Sequence, residues 1–380
     1  MIPFQERVRG VVFGAALGDA LGAVVEKLSY EQIRDMYQRV ESLKTEWYKP
    51  EEERQGKQRG HGIVTDDTLM MCALIRVYLQ EQRHLDAYDL SDGFLREIAF
   101  RKTYIPEFGR EALLIERLFY PEKTLFTRHA LANCEPREGG IGNMVNCGAA
   151  MYIAPVGIVN AGDPKGAYDE AILFALGHQC SYGLEAAGVL AACVAKAFEE
   201  GATVESVVET AILLAKDGTK QAIAAVTGEA KRLKQCGAGM DEIVSCLQQA
   251  MKPFSPMGDD VHRSENKLGV PSNHYTPSRL FSIEELPMAL AFIILNDGAF
   301  YPSMYDGINS GRDTDSIGVM IGVILGAMHG DRVIRGEDRS LLERANQLQL
   351  SILSERFCET AKKIISKDLE LHTYRKKYLT

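Results

Sequence analysis

Residues 310–326 read SGRDTDSIGVMIGVILG. Asp313 and Asp315 stand one residue apart, a hydroxyl flanks Asp315 on either side, and no charge follows as far as Gly326. A run this apolar fits a helix buried on all sides, and Gly318, Gly322 and Gly326 at i, i+4, i+8 line a stripe where another helix can approach closely. The chain therefore sets two carboxylates at the lip of a buried helix. Anions there repel one another unless something positive lies between them.

A near twin lies in residues 63–79, IVTDDTLMMCALIRVYL: a hydroxyl, two adjacent carboxylates, another hydroxyl, then an apolar helical run. Taken singly, each motif reads as an N-cap and first turn, where Asp, Ser and Thr accept hydrogen bonds from free backbone N–H groups. One acid caps one helix, however, and Asp66, Asp67, Asp313 and Asp315 offer four carboxylates. A metal is the natural counter-charge. Carboxylates and hydroxyls are hard donors, and no His or Cys stands among the TDDT and DTDS residues, so the pattern points to Mg²⁺ or Mn²⁺ rather than Zn²⁺ or Cu²⁺. Four carboxylates balance two divalent ions, and two ions roughly 3.5–4 Å apart form a recurrent hydrolytic centre.

The rest of the chain predicts an all-α fold. GLEAAGVLAACVAKAFEEG (183–201), VESVVETAILLAK, TKQAIAAVTGEAKRLKQ, MDEIVSCLQQAM and IEELPMALAFIILND carry helical periodicity, while β-branched runs such as VGIVNAG are too few and brief for a sheet. With 46% hydrophobic and 25% charged residues, the 380-residue chain has the composition of a soluble protein and can bury one large core, a single domain over 1–380. Segments 44–62, 120–143 and 252–279 read as surface loops. In the last, GDDVHRSE (258–265) reads as solvated, and Tyr275 and Phe281 as loop anchors or as platforms for a base. A net charge of -9 without a long basic run excludes a broad nucleic-acid surface and leaves small molecules or proteins as partners. Eight scattered cysteines without a CxxC pair, no signal-peptide layout, and an N-terminal apolar run too short to span a membrane and interrupted by Asp19 point to a cytoplasmic protein with no membrane partner.

With TDDT and DTDS joined by VVFGAALGDALGAVVE (11–26), NCGAAMYIAPVGI (146–158) and GHQCSYGLEAAGVLAA (177–192), the chain resembles the ADP-ribosylglycohydrolase family, which includes the dinitrogenase-reductase-activating glycohydrolases. The resemblance implies an orthogonal multi-helix bundle, a centre of two Mg²⁺ (or Mn²⁺) ions, and hydrolysis of a glycosidic bond at the anomeric carbon of a ribose. It implies Thr65, Asp66, Asp67, Asp313, Asp315 and Ser316 as metal ligands, with Ser316 standing where many relatives have Thr. It also implies Glu26, Asp67 and Asp315 as catalytic carboxylates, and Gly142, Asn146, Gly148, Met151, Tyr152, His178 and Gly311 as substrate contacts. The substrate is then a ribosyl or ADP-ribosyl small molecule, or an ADP-ribosylated protein.

Two departures from the family pattern fall where substrates are read. GGIGNMVNCG stands in place of a segment of the Asp-x-Gly-x-Thr type, and Tyr152 replaces the Arg common after the Met of the substrate loop. A smaller nucleoside-like N-glycoside is accordingly the alternative substrate. Other residues keep a second reading on their own chemistry. Glu26 is either a solvated helix-end charge or a gate and acid/base group, His178 is either a core imidazole or a donor to a phosphate or ribose oxygen, and Asn146 with Gly148 forms a turn able to cradle a pyrophosphate. A non-catalytic, crystallin-like binding or structural protein of the same fold is the alternative of another class. Such a protein has no reason to keep four mutually repelling carboxylates.

Overall fold

The structure, a computed structural model, describes residues 2–254 and 283–379. Among these residues helices dominate, and the strands are limited to an antiparallel hairpin of β1 (Lys102–Ile105) and β2 (Arg110–Leu113), with Lys102 opposite Leu113. The all-α expectation holds. The helices that build the core and carry the site are α1 (Phe4–Gly22), α2 (Asp66–Glu81), α3 (Ser181–Ala197), α4 (Asp217–Cys236), α5 (Glu285–Leu295), α6 (Phe300–Asn309), α7 (Thr314–His329) and α8 (Leu350–Lys376). No helix among the described residues is long and apolar enough to cross a membrane.

The centre of the molecule is the antiparallel pair α1 and α7, joined along two glycine stripes. Gly10, Gly14 and Gly18 face Gly326, Gly322 and Gly318, and Gly22 faces Thr314. The approach is so close that a Cβ on Gly14 would lie 2.2 Å from the Gly322 carbonyl oxygen. Only paired stripes without side chains allow two helix backbones to touch, and α7 is buried along nearly its whole length as a result. The stripe on α7 was legible; its partner on α1 has the same four-residue spacing.

This pairing brings the end of α1 against the start of α7. Thr314 Oγ1 donates to the Gly22 carbonyl at 2.8 Å, Lys27 N donates to Arg312 O at 2.8 Å, and Arg312 N donates to Leu28 O at 2.7 Å. Gly311 has φ of +89°, and a Cβ there would sit 2.7 Å from Tyr30 N, so this crossing requires glycine. α8 lies across α1 and α2, with Phe357 against Tyr78 at 5.7 Å between ring centroids.

Predicted helices and observed ones agree closely, as in MDEIVSCLQQAM, which is helical over Met240–Met251. Segment 44–62 is irregular apart from one turn at Glu51–Glu53, as expected of a loop. Segment 120–143 is not a plain loop. It opens with a helix, Tyr120–Leu125, followed by a wider turn of helix over Phe126–Leu131. Pro121 near the first position favours a helix start, and buried Pro121 and Leu125 anchor it. Of the third predicted loop only Lys252–Phe254 is described; GDDVHRSE, Tyr275 and Phe281 lie outside the described residues.

Candidate metal centre

The first acidic motif does not cap its own helix. Thr65 is the residue before α2, yet its side chain makes no capping bond, and its buried Oγ1 has no hydrogen-bond partner. The cap comes from Asp19 on α1. Its carboxylate accepts from Thr65 N at 3.0 and 2.9 Å, from Thr68 N at 3.1 Å and from Thr68 Oγ1 at 2.5 Å. Asn346 pins the preceding segment, accepting from Val64 N at 3.0 Å and donating to Gly62 O at 2.7 Å. An acid from elsewhere thus takes Thr68 N in the first turn of α2 and Thr65 N just before it, and the Thr65 side chain makes no capping bond.

The second motif behaves in the same way. Asp313 precedes α7 without a side-chain cap, and the carboxylates of Asp313 and Asp315 are buried. The two helix starts meet: Ser316 Oγ donates to Asp67 Oδ1 at 3.1 Å. Oxygens of Glu26, Asp313 and Asp315 all lie within 4.8 Å of one another. Glu26 reaches them from the turn after α1, so the capping explanation fails at both motifs, and the acids converge on one place.

The charges around this place are unevenly balanced. Burial, and then Asp315, Asp19 and Asp66, push Asp67 well above the usual carboxylate range; burial, Asp315 and Glu285 do the same to Asp313. Asp315 is pushed up to about 6 by burial and by Glu26, and Asp19 to about 7 chiefly by burial. Burial also opposes ionisation of Glu26, but Lys27 and Arg59 outweigh it and hold that carboxyl far below its ordinary value. Arg59 Nη1 contacts Glu26 Oε2 at 2.5 Å, and its Nε contacts Glu107 Oε1 at 3.0 Å. Glu107, fully buried, also pairs with Arg117, which in turn reaches Asp66 Oδ1 at 2.8 Å. A buried chain of alternating charges, Glu26–Arg59–Glu107–Arg117–Asp66, therefore frames one side of the site.

The donor set fits a divalent cation. Buried acids that resist ionisation for want of a counter-charge, together with the orphaned Thr65 hydroxyl, are what a hard cation would satisfy.

The segment around Asn146 packs beside this cluster. Asn146 Oδ1 accepts from Gly148 N at 3.1 Å and from Gln179 Nε2 at 2.7 Å, while its Nδ2 donates to Glu122 Oε1 at 2.9 Å. A Cβ on Gly148 would lie 2.0 Å from that Glu122 oxygen. Burial, with Asp66 nearby, raises Glu122 to about 7. Gly142 is exposed with open space around it, and Met151 is buried. Tyr152 and His178 are core side chains. Tyr152 Oη and His178 Nδ1 share a 2.9 Å hydrogen bond, the rings lie 5.8 Å apart and nearly parallel, and burial lowers His178 to about 3.

A cysteine does accompany the second motif, although none is near it in sequence. Cys147 Sγ donates to Asp313 Oδ2 at 3.2 Å and lies 3.3 Å from Ser316 Oγ. Glu285, at the start of α5, lies within reach of both Cys147 and Asp313. Asp19, Arg59, Glu107, Arg117, Glu122, Cys147 and Glu285 are the residues that sequence reasoning missed. The signal for Asp19 was present: a carboxylate in the middle of an otherwise uncharged helical run needs a buried partner.

An all-α fold thus gathers the acids of two helix starts into one buried cage able to hold a metal. The chain belongs to the ADP-ribosylglycohydrolase family, whose sequence profile matches residues 2–367. It is similar to the uncharacterized protein YegU of Escherichia coli (strain K12), with 24% identity over 352 residues, covering 91% of this chain and 94% of that protein. ADP-ribosylhydrolase ARH3 of Homo sapiens is 24% identical over 336 residues, covering 85% of each chain. A solved chain of an ADP-ribosylglycohydrolase-related protein complex shares the fold at a TM-score of 0.62 and 20% identity, covering 94% of this chain and 99% of that one.

Proposed function

We propose that the chain hydrolyses the glycosidic bond at the anomeric carbon of a ribose in an ADP-ribosyl compound or ADP-ribosylated protein, using two Mg²⁺ or Mn²⁺ ions held by Thr65, Asp66, Asp67, Asp313, Asp315 and Ser316. The observation that carries this reading is the meeting of two acidic helix starts whose own carboxylates are not spent on capping, Ser316 Oγ on Asp67 Oδ1 at 3.1 Å, with Glu26 beside them. When bound, the ions supply hard positive charge that orients the ribose hydroxyls and acidifies water.

The remaining work falls to the chain's own side chains. Asp67 or Asp315 takes the proton from the attacking water. Glu26, kept ionised between Lys27 and Arg59, accepts a hydrogen bond and orients that water rather than storing a proton. The surrounding carboxylates favour the positive charge that develops on the ribose as the bond breaks. The family profile and the ADP-ribosylhydrolase relatives support the ADP-ribosyl substrate. All eight cysteines are unpaired, which suits a reducing compartment such as the cytoplasm.

A second reading, a smaller nucleoside-like N-glycoside, draws on Tyr152: it is turned into the core against His178 and brings no positive charge for a phosphate. Protein supplied with Mg²⁺ or Mn²⁺ and a panel of α-linked ADP-ribosyl compounds and nucleosides should release free ADP-ribose from the former. Release from nucleosides alone favours the second reading. No release from any compound removes the enzyme and leaves the non-catalytic alternative.

A further inference from the structure

We propose that Cys147 is a thiolate ligand on the Asp313–Ser316 side of the cation cage, joined there by Glu285, and that this chain consequently binds a thiophilic divalent cation such as Co²⁺, Fe²⁺ or Zn²⁺ at that position in preference to Mg²⁺. The inference deepens the proposed metal centre and rests on it.

Three observations carry it. The first is distance. Two ligands about 2.3 Å (sulfur) and about 2.1 Å (oxygen) from one ion, at right angles, lie about 3.1 Å apart. Cys147 Sγ lies 3.2 Å from Asp313 Oδ2 and 3.3 Å from Ser316 Oγ, so the sulfur stands at the spacing of a neighbouring ligand to both. The second is a cluster of donors: ligand atoms of Cys147, Glu285 and Asp313 all lie within 4.8 Å of one another, and all three residues are buried. The third concerns Glu285 itself. It is 0% exposed, neither carboxylate oxygen has a hydrogen-bond partner, and Glu284, Asp313 and Arg312 are the charged groups around it.

A thiol proton alone would explain the contact to Asp313, but it leaves both buried carboxylate oxygens of Glu285 without a hydrogen-bond partner. A cation between the three satisfies the thiol and both carboxylates together. Thiolate ligands shift preference away from Mg²⁺ toward softer ions. On binding, the S–H bond of Cys147 breaks, a sulfur–metal bond forms, and the proton passes to solvent; no electron is transferred.

Cobalt gives the test a readout independent of hydrolysis. The full chain, stripped with chelator and titrated with Co²⁺, should show cobalt d–d bands together with a thiolate-to-cobalt charge-transfer band in the near ultraviolet, and excess Mg²⁺ should fail to abolish that band. Cys147→Ser should lose the charge-transfer band and weaken Co²⁺ binding by roughly 10- to 100-fold while Mg²⁺ binding changes little. Glu285→Gln should keep the band and weaken Co²⁺ in the same direction; circular dichroism of both variants separates lost ligands from lost fold. Wild-type d–d bands without a charge-transfer band, or a band that survives Cys147→Ser, overturn the thiolate ligand and leave the metal centre standing. Failure of wild type to bind Co²⁺, Mg²⁺ or Mn²⁺ overturns both.

Discussion

Replacing Gly318 by Ala tests the contact that sets the geometry of the site. A Cβ there would lie 2.6 Å from Gly18 O, 2.8 Å from Gly18 C and 2.9 Å from Gly18 Cα, all backbone atoms that no rotamer change can move. Restoring the oxygen contact from 2.6 Å to the 3.4 Å of ordinary packing requires α1 and α7 to part by about 0.8 Å. Overpacking of this kind costs about 1–3 kcal/mol. At roughly 2–4 °C per kcal/mol, the variant should melt roughly 2–12 °C below wild type. Gly318 lies one turn beyond Asp315, so cation affinity should fall with it. Gly228, a helical glycine of α4 with nothing within 4 Å of its would-be Cβ, is the control: Gly228→Ala should be neutral or stabilising by up to about 1 kcal/mol. Thermal unfolding followed by circular dichroism decides it. Equal melting temperatures for Gly318→Ala and wild type would refute the backbone contact and the inference that it aligns the acids.

Other perturbations follow from the same geometry. Asp19→Ala removes the only side-chain acceptor found for Thr65 N and Thr68 N among the described residues, and should cost about 1–3 kcal/mol in denaturant unfolding. Metal titration of that variant should also show affinity reduced by roughly 10- to 100-fold. Glu107→Gln breaks the buried charge chain and leaves Arg59 and Arg117 facing a neutral amide; urea unfolding should show a loss of about 3 kcal/mol, and none if the chain is idle. His84 lies 2.5 Å from Glu170 and 3.0 Å from Asp368 on α8, and its pKa is raised to about 9, mainly by the hydrogen bond to Glu170. Its contribution is therefore fully present below the unfolded value of about 6.5 and is lost as pH rises through about 9. The imidazole is 38% exposed, and screening leaves about 1 kcal/mol. His84→Gln should lower stability by that amount at about pH 6 and by nearly nothing at about pH 10.

Much of the fold was legible because helical periodicity reports which face is buried. It does not report what covers that face. The stripe of Gly318, Gly322 and Gly326 announced a close helix neighbour, but the neighbour, 300 positions upstream at the Gly18–Gly318 contact, was visible only as GDALG until the backbones were seen to touch. The two Asp motifs were legible because hydroxyls and carboxylates crowd adjacent positions. Arg59, Glu107 and Arg117 were not, since each is an ordinary charge in a polar segment, and only tertiary packing turns them into a buried chain. Cys147 read as one of several scattered thiols because nothing local links position 147 to position 313. The helix at Tyr120–Leu125 was hidden by the turn-forming residues around it, although Pro121 at its start was a helix signal as much as a turn signal.

The central claim is that TDDT and DTDS together hold divalent cations. Equilibrium titration of chelator-stripped protein with Mn²⁺, read by calorimetry, tests it most directly, comparing wild type with Asp313→Ala/Asp315→Ala. Two ions bound per wild-type chain and their loss in the double variant are the predicted result. Absence of binding in wild type, or unchanged binding in a folded double variant, would contradict it.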